Sequence, residues 1–125
     1  VGSQHAVAVA NCTVALHLAL KAVGVGPGDE VITVSHSFIA TANSIRYCGA
    51  VPMFVDIDPQ TFNLDPSLLE PAITERTAAI LCVHQICMPC ELKAILEVAS
   101  RHHLPVATPA LPRAASPAGR RWLWH

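Results

Sequence analysis

The sequence predicts an α/β domain built on a mostly parallel sheet. Three observations predict it. Short β-branched runs alternate with segments of helical period along the chain. One run, Ala78 to Val83 (AAILCV), is apolar without interruption, the pattern of a strand covered on both faces. And 125 residues with 52% hydrophobic and 14% charged side chains make one core and one domain, not two.

Each element has its own signal. Thr13 to Val23 places Leu16, Leu20 and Val23 at helical spacing, and Gly24 stops the helix. Gly24 to Gly28 (GVGPG) is a turn-rich connection. Glu30 to Val34 (EVITV) is a strand, and Ser37 to Tyr47 is a second helical segment closed by Gly49. Val51 to Val55 (VPMFV) is a second strand, with Pro52 suited to a strand entry or a sheet edge. Asp56 to Leu64 is a polar loop. Asp65-Pro66 reads as an N-cap followed by proline in the first turn, so Ser67 to Ile73 is expected to be helical. After the strand at 78–83, Leu92, Ile95, Leu96, Ala99 and His103 give the stripe of a helix over Glu91–His103. Pro105-Val106 opens a last strand. Strands alternating with helices imply βαβ crossovers.

Beyond Val106 the pattern fails. Residues 107–125 read ATPALPRAASPAGRRWLWH, with neither strand nor helix periodicity, and are expected to form a tail. The charge changes at the same place. Residues 1–97 hold all nine acids and four of the eight bases, a balance of −5, whereas 98–125 hold four Arg and no acid, +4. A net charge of −1 speaks against a general nucleic-acid binder, which needs a positive field. No apolar stretch of membrane-spanning length and no secretion signal occurs, so the expected compartment is the cytoplasm. Cys12, Cys48, Cys82, Cys87 and Cys90 are accordingly read as reduced thiols, mostly core residues.

Four places could carry chemistry. Asn11-Cys12-Thr13 opens a helix, where free N–H groups hold anions, although Asn11 or Thr13 also suits a plain N-cap. Ser37, Phe38 and Thr41 sit where a strand passes into a helix, the end of a parallel strand at which α/β proteins bind ligands; Phe38 could stack on a planar ring or simply be core. His84, Cys87 and Cys90 form His-x2-Cys-x2-Cys, readable as a redox pair at the head of a helix or as part of a zinc site that lacks a fourth ligand. Asp56, Asp58 and Asp65 are carboxylates after a strand, a composition equally typical of turns and caps.

Taken together the motifs GPGDEVI (26–32), SFIATAN (37–43), FVDIDPQTFNLDP (54–66) and AIT-x-x-TAAI (72–80) resemble the DegT/DnrJ/EryC1/StrS family, over about His5 to Val106. The resemblance implies a pyridoxal 5'-phosphate (PLP) aminotransferase. Its fold would be the aspartate-aminotransferase type, a fold type I three-layer αβα domain. Its substrates would be a nucleotide-linked keto sugar and an amino acid such as glutamate, and it would work as a homodimer with the active site at the subunit interface. It implies that residues 1–106 are part of the PLP-binding large domain. It places the cofactor phosphate on Cys12 and Thr13, with Cys12 standing where the family usually has Gly, and the cofactor ring on Phe38. It also demotes the thiol pair, because Cys87 stands at a family Gly. The family's Asp for the pyridine nitrogen and its Schiff-base Lys have no counterpart here: Lys21 and Lys93 match neither position. The resemblance therefore implies an inactive fragment, and the loss of pattern after Val106 is read as a shifted reading frame. A small redox or binding module using Cys87 and Cys90 is the second reading.

Overall fold

A computed structural model describes residues 5–85 and 88–109. The order of elements is α1 (Cys12–Ala22), β1 (Glu30–Val34), α2 (Ala40–Tyr47), β2 (Val51–Val55), a 3-10 turn (Pro66–Leu68) running into α3 (Leu69–Ala72), β3 (Thr77–Leu81), α4 (Leu92–Arg101) and β4 (Val106–Ala107). The four strands form one sheet in the order β2-β1-β3-β4, and every pair is parallel. The expected tail lies, from residue 110 on, outside the described residues.

Alternation along the strands sends successive side chains to opposite faces. Ile32, Val34, Ile80 and Cys82 pack with Leu64, Leu69, Ile95 and Val98 on the face covered by α3 and α4. Val31, Ala79 and Leu81 pack with Leu16, Leu20, Ile45 and Cys48 on the face covered by α1 and α2. The chain is thus a three-layer αβα sandwich. The central strands β1 and β3 are apolar on both sides because both sides are covered. β2 lies at an edge of the sheet, and there Val51 and Phe54 remain 42% and 53% exposed.

Local chemistry sets most boundaries. Asp65 caps the 3-10 turn, its carboxylate accepting from the Ser67 amide at 2.9 Å and the Ser67 hydroxyl at 2.7 Å. Gly49 takes φ +79° after α2, a conformation that a side chain disfavours. The segment expected to be helical from Ser37 starts only at Ala40. The Ser37 amide turns back to the Ser35 carbonyl at 2.9 Å, so residues 35–37 form a bend before the helix. At the start of β1 the carboxylate of Glu30 is buried; Arg76 bonds one oxygen and the Thr74 hydroxyl donates to the other at 2.6 Å. Among the described residues no helix is long and apolar enough to cross a membrane.

Candidate functional site

In a parallel sheet all strands end at one edge. α1 precedes β1 and runs back across the sheet, so its N-terminus lies at that carboxyl edge; α2 leaves the end of β1 and begins at the same edge. The 11 residues of α1 are about 16 Å long, close to the length of the strands it covers.

Asn11 is the N-cap of α1 in extended backbone conformation, and its side-chain oxygen accepts from the Val14 amide at 3.0 Å. One of the first-turn donors is satisfied in this way. The amides of Cys12 and Thr13 have no acceptor among the described residues, nor has the Thr13 hydroxyl. The plain-cap reading therefore holds for Asn11, while Cys12 (exposed) and Thr13 (half-buried) offer free donors at the positive end of the helix. Replacing Asn11 by alanine should lower stability by about 1 kcal/mol, read from the midpoint of chemical unfolding.

Phe38 is 77% exposed at the head of α2, so it is not a core residue. Behind it the Ser37 and Thr41 hydroxyls bond each other at 2.8 Å and fix the turn. This aromatic stands free at the same sheet edge as the open amides of α1, a ring and an anion site of the kind a phosphorylated planar molecule needs. The residues present fit the phosphate and the ring face of PLP. They do not supply a lysine at the site. Lys21 sits in the last turn of α1, away from the carboxyl edge, where its Nζ donates to the Val25 carbonyl at 3.4 Å; Lys93 is exposed on α4.

The three aspartates are structural. Asp56 accepts from the Ile57 amide, and Asp58 accepts from Gln60 and Thr61 at 2.6 and 3.2 Å, closing a turn. Asp65 is the cap already described.

The Cys-x-x-Cys motif is less open than its spacing. Cys87 lies outside the described residues. Cys90 is buried, and its thiol donates to the Val83 carbonyl at 3.0 Å. Contact with Cys82, and then burial, push the Cys90 thiol well above its ordinary range, so Cys90 itself is no thiolate nucleophile. His84 has both ring nitrogens engaged: Nδ1 accepts from the Cys90 amide at 3.0 Å and Nε2 lies 2.9 Å from the Thr108 hydroxyl. No group of metal-ligating side chains occurs among the described residues.

The structure adds residues that sequence patterning missed. Asn63, read as part of a polar loop, is 2% exposed. Its amide donates to the carbonyls of Met88 and Pro89, both at 3.1 Å, and accepts from the Gln85 amide at 2.8 Å. The Gln85 side chain bonds the His36 carbonyl at the end of β1, and the His36 ring lies 5.7 Å from that of Phe62. Together with His84 and Thr108, these contacts tie the ends of β1, β3 and β4 and the loop after β2 into one edge. No local signal marks Asn63, since its partners lie 22 to 26 residues away.

The parallel sheet between two helical layers has the fold of the fold type I PLP aminotransferases, as solved structures show. A 3-amino-5-hydroxybenzoic acid synthase superposes with a TM-score of 0.84 at 39% identity, covering 86% of this chain and 28% of that one. DesI in the presence of its TDP-sugar product gives 0.81 at 41% identity, covering 87% and 27%. The ntda protein of Bacillus subtilis, with bound cofactor PMP, gives 0.76 at 44% identity, covering 77% and 22%. A sequence model of the DegT/DnrJ/EryC1/StrS aminotransferase family matches residues 1–111, and the chain belongs to that family. GDP-perosamine synthase of Caulobacter vibrioides is 58% identical over 103 residues, 82% of this chain and 28% of its own length. The spore coat polysaccharide biosynthesis protein SpsC of Bacillus subtilis is 56% identical over 104 residues, 83% and 27%. The chain thus spans under a third of the length of these relatives.

Proposed function

We propose that this chain forms the phosphate and ring-face portion of the cofactor site of a PLP-dependent sugar aminotransferase. The reaction would move an amino group from an amino acid, glutamate by preference, to a nucleotide-linked keto sugar. The observation that carries this reading is the pairing, at one sheet edge, of the unpartnered Cys12 and Thr13 amides with the exposed Phe38 ring. Cys12 and Thr13 would hold the phosphate against the N-terminus of α1, and Phe38 would cover one face of the ring. When bound, the cofactor supplies an electron sink for the carbon that gains or loses the amino group. The PLP-binding portion would comprise residues 1–106, with 107–125 a tail outside it, and the working form of the family fold would be a homodimer.

On the family resemblance, these 125 residues hold no counterpart of the Schiff-base lysine or of the aspartate for the pyridine nitrogen. We therefore infer that the chain by itself binds the cofactor only non-covalently and does not turn over. The test is PLP titration of the purified chain, followed by borohydride reduction and mass spectrometry. Weak binding that Phe38→Ala reduces several-fold, with no pyridoxyl mass on any lysine, is the expected result. A reduced adduct on Lys21 or Lys93 would refute it. The redox reading would need Cys87 as its nucleophile, because contact with Cys82 and burial keep the Cys90 thiol protonated.

A further inference from the structure

The hydrogen bonds of His84 fix its tautomer. The Cys90 N–H points at Nδ1, so Nδ1 carries a lone pair. The Thr108 hydroxyl donates to the Pro109 carbonyl at 3.2 Å, so its oxygen is free to accept from Nε2–H. The ring is therefore neutral, with its proton on Nε2. It joins two separate parts of the carboxyl edge: Cys90, which precedes the residue capping α4, and Thr108, which follows β4.

We propose that His84 is a pH-sensitive clasp, which holds Cys90 to the end of β4 while neutral and releases Cys90 when it takes up a proton. The proton comes from solvent and must go to Nδ1, the only ring nitrogen with a lone pair. Nδ1–H would then face the Cys90 N–H, two donors with no acceptor between them, so the bond cannot survive protonation. The elements around the ring offer little to offset this. Their titratable groups are Cys82 at the end of β3, Cys90 and Glu91 before α4, and His36 at the end of β1. Burial of the ring alone holds the His84 basicity below the ordinary imidazole value. The sign follows: a folded-state value lower than the unfolded one gives stability that is present above the unfolded value and lost as pH falls through the folded one.

The inference goes beyond the cofactor reading and is tested on the full chain without cofactor. Nitrogen NMR of the imidazole should show Nε2–H and bare Nδ1 above about pH 7. Amide exchange should show the protection of Cys90 falling about tenfold per pH unit below about 6.5, the slope of one linked proton, while Ile32 and Ile80 keep theirs. In His84→Gln, whose side-chain oxygen can still accept from Cys90 but cannot titrate, the fall should vanish. An Nδ1–H tautomer, or Cys90 protection that follows pH equally in wild type and His84→Gln, would overturn the clasp. Should that variant not fold, the two wild-type measurements decide the matter on their own.

Discussion

Replacing Asn63 with alanine is expected to lower the stability of the chain by about 3 kcal/mol and to loosen the carboxyl edge before anything else. The side chain is 2% exposed and uses three hydrogen bonds, two donated and one accepted. Its removal leaves the Gln85 amide and two carbonyls to find other partners. Met88 and Pro89 are exposed, so water can reach their carbonyls, which keeps the loss nearer 3 than 5 kcal/mol. The measurement is the shift of the urea midpoint at constant slope, together with amide exchange at Gln85 and Met88. Asn63→Asp should be worse at neutral pH, because a carboxylate on this buried side chain would face two carbonyl oxygens. Its defect should shrink as pH falls and the introduced carboxyl takes up a proton. An Asn63→Ala chain within about 0.5 kcal/mol of wild type would show that these bonds do not hold the edge together.

The second large effect is expected at Ile80. It is wholly buried in β3 on the face packed by α3 and α4, between Leu69, Ile95 and their neighbours. Ile80→Ala removes three methyl or methylene groups from a packed layer and should cost about 3 to 4 kcal/mol, the transfer term plus the cavity left behind. A protein of ordinary stability, with about 5 to 15 kcal/mol in hand, would be brought near unfolding. Phe54→Ala, on the half-exposed edge strand β2, removes a larger side chain and should cost under about 1 kcal/mol. Equal losses at the two positions in denaturant titrations would contradict the sheet order, since they would require β2 to be as covered as β3.

The contrast between Ile80 and Phe54 also shows what the residues announce. Ala78 to Val83 carries its two-faced burial in an uninterrupted apolar run, and the structure buries most of it. Pro52 marks β2 as an edge or entry strand, and β2 is an edge. The Asp65-Pro66 cap and the glycines after α1 and α2 are legible for the same reason: caps and turns depend on a few neighbouring backbone groups. The bend at 35–37 is not legible, because a serine amide can serve a helix or a tight turn equally well in one dimension.

The site divides along the same line. Cys12, Thr13 and Phe38 are visible as a helix start and a strand-to-helix junction. Whether Phe38 is core or free is decided only when α2 packs and leaves the ring 77% exposed. The spacing of Cys87 and Cys90 advertises a redox pair, and only the fold shows that Cys90 is pressed against Cys82 and the Val83 carbonyl.

By itself, then, the sequence determined the alternation of strands and helices, the parallel class of the sheet, its covered central run and the family to which those motifs belong. Only the tertiary structure decided the strand order β2-β1-β3-β4, the burial of Asn63 and the coupling of His84 to Cys90 and Thr108. The reason is range. Periodicity, caps and turns arise from interactions within about one helical turn or one strand. The hydrogen bonds of Asn63 span 22 to 26 residues and that of His84 to Thr108 spans 24, and such partners become neighbours only once the sheet has formed.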